Sequence, residues 1–219
     1  MKAQALGNGL FRVLIPYEEG TTTVYVVTTE QGTVLVDSAT YPSDVDDYIL
    51  PALYELGGSP SDVRCLALTH DHADHAGGIA RLAECLPHAE VRASFALPLP
   101  RSALLHDGDG ILDTLQTVHL PGHTPHSVGF LDTRTRTLLS GDCLQLAGVG
   151  KYRSGILCPT DYVASCERLK AMDIERIVAA HEYDPYGSIA SGSAEVARYL
   201  DACISIARGE DVSLCAFVL

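Results

Sequence analysis

The chain has 219 residues, with 28 Asp and Glu against 15 Lys and Arg, a formal charge of −13 at pH 7. Hydrophobic residues at 47% and charged residues at 20% are globular composition, and a chain of this length buries about 70% of its unfolded surface. The acid excess works against nucleic-acid or anionic-membrane partners, because counterion-release binding needs a basic face that 15 scattered cations hardly build.

The start, Met1-Lys2-Ala3-Gln4-Ala5, carries a single cation and leads into no apolar run of signal-peptide length, and nowhere do about 18 apolar residues run together. A soluble, cytoplasmic protein is expected. Residues 10–15 and 22–29 are rich in β-branched side chains, and 33–36 after Gly32 read as a third strand ending at Asp37. Pro42-Ser43-Asp44 opens a helix with Val45, Ile49, Leu50, Leu53 and Leu56 on one face, stopped by Gly57-Gly58. Residues 63–68 form a buried-strand run, and after a polar loop 76–86 read as a helix ending before Pro87. Residues 114–120 alternate as a strand, and 127–131 and 137–140 pair as a hairpin. A helix over 161–172, a strand over 176–180 and a helix over 194–208 complete the order; the last helix places Val196, Tyr199, Leu200, Cys203 and Ala207 at core-facing spacing.

Strands thus come in two clusters, each followed by helices. That order suggests an α/β fold, a four-layer αββα sandwich of two mixed β-sheets flanked by helices. No linker, repeat or composition shift marks a boundary, so 1–219 read as a single domain. The seven Cys form no C-x-x-C pair and their odd count leaves one unpaired in any disulfide scheme, which fits a reducing compartment.

Side chains of metal-ligand type gather where the expected strands end. Thr69-His70-Asp71-His72-Ala73-Asp74-His75 follows the run 63–68 directly, and an extended backbone would put His70 and His72 on one face while Asp74 and His75 turn toward the next helix. His123 sits in Leu120-Pro121-Gly122-His123, Asp142 follows Leu138-Leu139-Ser140-Gly141, and His181 ends the strand over 176–180. One His or Asp at a strand end is ordinarily a solvated loop residue; the set of seven at four strand ends points to a metal. Imidazole and carboxylate without thiolate suit zinc, with iron and manganese as alternatives. His88, His106 and His119 read as structural or surface residues, and His126 stays open. Cys143 reads as a small buried side chain rather than a nucleophile.

The series His70-Asp71-His72-Ala73-Asp74-His75, His123, Asp142, His181 resembles the ligand set of the metallo-β-lactamase superfamily. The resemblance implies the αββα sandwich and two metal ions, zinc being the first choice. It assigns His70, His72 and His123 to one ion and Asp74, His75 and His181 to the other, with Asp142 as the bridge. Asp37 matches the family's supporting acid, although a turn-forming Asp is an equal reading. Such a pair generates hydroxide near neutral pH and polarises a carbonyl, with Asp74 as the catalytic carboxylate that accepts a hydrogen bond from the hydroxide and orients the attack. The expected activity is hydrolysis of a small acyl ester or thioester.

Asp142 through Tyr152, with Lys151 among only three lysines, and His181-Glu182-Tyr183 are similar to glyoxalase II. The resemblance makes Lys151, Tyr152 and Tyr183 substrate-binding residues for an anionic small molecule. Arg153 and His126 depart from that family's pattern, and only 38 residues follow His181 where glyoxalase II has a further helical domain. A lactonase shares all seven ligands, a mononuclear-iron thiol or persulfide dioxygenase resembles the set through two His and an Asp, and a metal-stabilised partner-binding module is the non-enzymatic alternative. The apolar stretch 212–219 could pack on its own sheet or cover a second copy in a homodimer.

Overall fold

The β-branched stretches of the first half form one sheet. Strands β1 (Ala3–Gly7), β2 (Leu10–Tyr17), β3 (Gly20–Thr29) and β4 (Gly32–Val36) pair antiparallel in sequence order. The computed structural model describes residues 3–18, 20–144, 155–183 and 187–210, which leaves Lys151, Tyr152, Arg153 and the stretch 212–219 outside the described residues. After β4 the chain crosses over through α1 (Pro42–Asp44), a π-helical turn (Val45–Ile49) and α2 (Leu50–Glu55), and β5 (Val63–Ala67) returns parallel to β4. A parallel pair needs such a crossover, and a helix is its usual form. Helices α3 (Ala73–Ala76) and α4 (Ile79–Cys85) then lead to β6 (Glu90–Ala93), and β7 (Ser102–Leu104) closes a seven-stranded sheet ordered β1 to β7.

The chain divides into two compact units, Met1–Gln116 and Thr117–Leu219. The core of the first is made by Val13, Ile15, Val24, Val26, Leu35 and Leu66 of the sheet with Val45, Ile49, Leu53 and Leu82 of the helices, all nearly inaccessible. The expected helical face is therefore correct at Val45, Ile49 and Leu53, with Leu50 and Leu56 partly buried at its edge. The helix expected over 76–86 is present as α4 over 79–85, and Gly77 and Gly78 separate it from α3, a turn within the stretch expected to be a polar loop.

The second sheet is ordered β13-β12-β11-β10-β9-β8. Its strands are β8 (Gly110–Ile111), β9 (Leu115–His119), β10 (Val128–Asp132), β11 (Thr137–Gly141), β12 (Arg176–Tyr183) and β13 (Gly187–Ser191). β10 and β11 form the expected hairpin, β12 lies parallel to β11, and β13 is antiparallel to β12. α5 (Pro159–Lys170) and α6 (Ser193–Arg208) bury Tyr162, Cys166 and Leu169 with Val196, Tyr199, Leu200, Cys203 and Ala207 against Val118, Leu138 and Ile177. Lys170 ties the two helices at their surface through Asp201, 2.6 Å away. Both sheets are mixed and flanked by helices. Among the described residues no helix is long and apolar enough to cross a membrane, and Cys65, Cys85, Cys143, Cys158, Cys166 and Cys203 are free thiols.

Candidate metal centre

In the first unit the ligand-type side chains hang from the corner between β5 and α3. Leu68 N–H still bonds Arg92 C=O, but the chain then leaves the sheet and His72 becomes the N-cap of α3. The extended geometry expected over 70–72 gives way to a bend, yet the rings of His70 and His72 meet edge to face with centroids 4.7 Å apart, and their ligand nitrogens lie within 4.8 Å. Asp74 and His75 occupy the single turn of α3, both buried, and His75 Nε2 stands 3.2 Å from Asp74 Oδ2. The turn is pinned through its carbonyls: Thr22 Oγ1 donates to Asp74 C=O at 3.1 Å, and Ser38 donates from N–H and Oγ to His75 C=O at 2.7 and 2.8 Å.

Asp37 is the hub beneath this corner. It follows β4 with φ +65, a left-handed conformation that a non-glycine residue rarely holds, and Ala39 repeats it at φ +59. Its carboxylate accepts Thr69 N–H at 2.8 Å, Thr69 Oγ1–H at 2.9 to 3.0 Å and His75 Nδ1–H at 2.8 Å. A buried carboxylate needs such donors, so Asp37 is more than a turn former.

In the second unit His123 stands on the loop after β9. Gly122 has φ +143, and a Cβ there would fall 2.5 Å from Tyr162 Cα, so the loop packs directly on α5. Gly122 C=O accepts from Cys158 N–H at 2.9 Å, and Ser165 Oγ donates to Pro121 C=O at 2.8 Å. His123 Nδ1 donates to Gly155 C=O. Asp142 sits just past β11, where Gly141 takes φ +53. One carboxylate oxygen, Oδ2, faces His123 Nε2 at 3.6 Å, and the other, Oδ1, faces His181 Nε2 at 3.1 Å. His181 lies inside β12 rather than at its end, since the strand runs on to Tyr183 with its register shifted between Val178 and Tyr183.

These contacts test whether the residues fit a metal. A carboxylate and a carbonyl only accept, so His75 and His123 carry their hydrogen on Nδ1 and present an Nε2 lone pair. That lone pair faces the lone pairs of Asp74 and Asp142, an arrangement that repels unless a cation or a second proton lies between. Oxygen and imidazole donors at this spacing are what a divalent transition ion takes. His70 with His72, Asp74 with His75, and Asp142 with His123 and with His181 each bring donor atoms of this kind together, and Asp142 is placed to offer one oxygen to each of two imidazoles.

Cys143 is buried with Sγ 3.5 Å from Val128 C=O, which agrees with a packing role. His88, His106 and His119 are exposed, as is His126, whose N–H bonds Thr124 Oγ1 at 3.2 Å. Tyr183 ends β12 and pairs with Gly187, and its side chain is outside the described residues. Sequence reasoning gave no role to Thr69, Ser38 or Gly155; a hydroxyl residue between a buried strand and a His-rich run was the one signal available, for Thr69.

Comparison with known proteins agrees with this picture. The family model described as the metallo-β-lactamase superfamily matches residues 17–102. An uncharacterized protein of Bacillus subtilis, YobT, is 33% identical over 150 residues, covering 57% of this chain and 62% of that protein. A hydroxyacylglutathione hydrolase of Aeromonas hydrophila is 32% identical over 166 residues, covering 73% of this chain and 61% of that enzyme. The chain thus spans about three-fifths of the length of these relatives. Among solved structures, a metallo-β-lactamase from Cronobacter sakazakii, mutated in its HARLDQ motif, superposes with a TM-score of 0.69 at 24% identity, covering 93% of this chain and 94% of that one. At that identity the likeness is one of fold.

Proposed function

The chain belongs to the metallo-β-lactamase superfamily, and from that premise we propose that it is a metal-dependent hydrolase of a small acyl thioester or ester. The observation that carries the reading is Asp142, with one carboxylate oxygen toward His123 and the other toward His181. By the family resemblance, His70, His72 and His123 would hold one ion and Asp74, His75 and His181 a second, with Asp142 as a ligand available to both. Zinc is the first candidate, with iron or manganese as alternatives. When bound, divalent cations supply Lewis acidity and water that gives up a proton near neutral pH.

The protein's own groups supply the rest. Asp74 accepts a hydrogen bond from the attacking water and so sets its direction. His75 and His123 are held in one tautomer by Asp37 and Gly155 C=O, which fixes where their lone pairs point. The similarity to hydroxyacylglutathione hydrolase supports an acyl-glutathione thioester as substrate, with Lys151, Tyr152 and Tyr183 receiving its anionic part.

Metal analysis of the purified protein followed by assay of the zinc-loaded form tests this reading. Two zinc ions per chain and turnover of S-lactoylglutathione are the expected results. Hydrolysis of a lactone without thioester turnover would remove the substrate class and leave the metal site. One iron per chain would move the reaction to thiol oxidation, and absence of any bound metal would end the hydrolase reading.

A further inference from the structure

We propose that Thr69 is a positioning residue, its hydroxyl forming a relay through which Asp37 fixes the ring of His70 as well as that of His75. The assignment rests on hydrogen-bond accounting. Thr69 Oγ1 lies 3.0 and 2.9 Å from the two oxygens of Asp37 and 3.0 Å from His70 Nδ1. A hydroxyl has one hydrogen, and a carboxylate offers only lone pairs, so that hydrogen goes to Asp37. The oxygen then faces His70 Nδ1 as an acceptor, and Nδ1 carries the ring hydrogen. His75 Nδ1 donates to the same carboxylate directly, 2.8 Å from Oδ2. One buried acid therefore sets the tautomer of two imidazoles whose centroids are 4.2 Å apart, and both present Nε2.

The surroundings make the relay rigid. Asp37, Thr69, His70 and His75 are all buried, so water offers these groups no ready substitute partner. Thr69 N–H holds Asp37 Oδ1 at 2.8 Å, which anchors the residue by its backbone as well as by its hydroxyl. Asp37 keeps φ +65 to aim its carboxylate, a conformation retained only where the surrounding bonds dictate it. By the resemblance His70 and His75 serve different ions, so the relay would tie the two ligand geometries to one acid. That consequence depends on the metal reading; the tautomer assignment does not.

The test uses the full chain labelled with ¹⁵N-histidine, as wild type, Thr69→Val and Thr69→Ser. Ring-nitrogen NMR of the metal-free protein reads the tautomers, and zinc titration against a chromophoric chelator reads affinity. The relay predicts the His70 hydrogen on Nδ1 in wild type and T69S, its loss from Nδ1 in T69V, and zinc bound about 10 to 100-fold more weakly by T69V than by T69S. A wild-type His70 with its hydrogen on Nε2 overturns the proposal without any variant, as does a T69V protein that keeps the wild-type ring spectrum and zinc affinity. A wild type that binds neither zinc, iron nor manganese defeats the hydrolase reading instead, and the ring spectra then decide the relay alone.

Discussion

Asp142 and Cys143 are neighbours with opposite tasks. The first sits between two imidazoles, and the second turns its sulfur to Val128 C=O in the core. Replacing Asp142 by Asn keeps the shape, removes the charge and places an amide hydrogen where a cation belongs. Steady-state kinetics should show a fall of about 100-fold or more in kcat/KM, with fewer metal ions per chain by elemental analysis. Cys143→Ala should leave turnover near wild type while urea denaturation shows a loss of about 1 kcal/mol. Loss of activity in the Ala variant with its metal content intact would make the thiol a participant after all.

At the scale of elements, what the sequence disclosed depended on burial. β2, β3, β5, β10 and β11 are long or unbroken apolar runs, and their expected bounds lie within a few residues of those observed. β1, β6, β7 and β13 escaped notice because their side chains are small, charged or half exposed; β7 is Ser102-Ala103-Leu104 and β6 holds Glu90 and Arg92. Their strand character comes from a neighbour that satisfies the backbone, which no local pattern reveals. The π turn at Val45–Ile49 and the gap between α3 and α4 are likewise set by packing rather than propensity. The seven ligand-type residues were legible because chemistry, unlike conformation, is written in residue type. The support for His123 was not: it comes from α5, where Tyr162 packs on Gly122 and Ser165 bonds Pro121 C=O, and from Gly155 ahead of that helix. Gly122→Ala drives a Cβ into the Tyr162 backbone at a φ an L residue rarely adopts. A stability loss of about 2 to 4 kcal/mol by denaturant titration is expected, together with weaker metal binding as the loop moves His123. Ser165→Ala, which removes one hydrogen bond to Pro121 C=O, should cost about 1 kcal/mol and leave affinity near wild type.

For the whole molecule, charge and protonation set the range in which the fold persists. Burial, with Glu90 nearby, pushes the Cys65 thiol up to about 12 from an ordinary 9.0. The folded state therefore favours the neutral thiol more than the unfolded chain does. Its contribution is complete below about pH 9 and is lost as pH rises toward 12, by up to about 4 kcal/mol. Urea titrations from pH 7 to 11 should show Cys65→Ala losing less stability across that range than wild type; parallel curves would mean the thiol is not what limits alkaline stability.

Metal acts on the same balance from the other side. The formal charge of −13 would become −9 with two divalent ions bound, and part of the repulsion among neighbouring carboxylates would be relieved. A ligand held only by the folded state adds stability as RT ln(1 + [L]/Kd), about 2.7 kcal/mol at a hundredfold excess over Kd. Stripping the protein with a chelator should therefore abolish turnover and lower Tm, and readdition of zinc should restore both with Tm climbing as the logarithm of free zinc. Coincident melting curves for stripped and loaded protein would show that the buried imidazoles and acids hold their places by hydrogen bonds alone, and the pairing of Nε2 with carboxylate lone pairs would then require a shared proton instead of a cation.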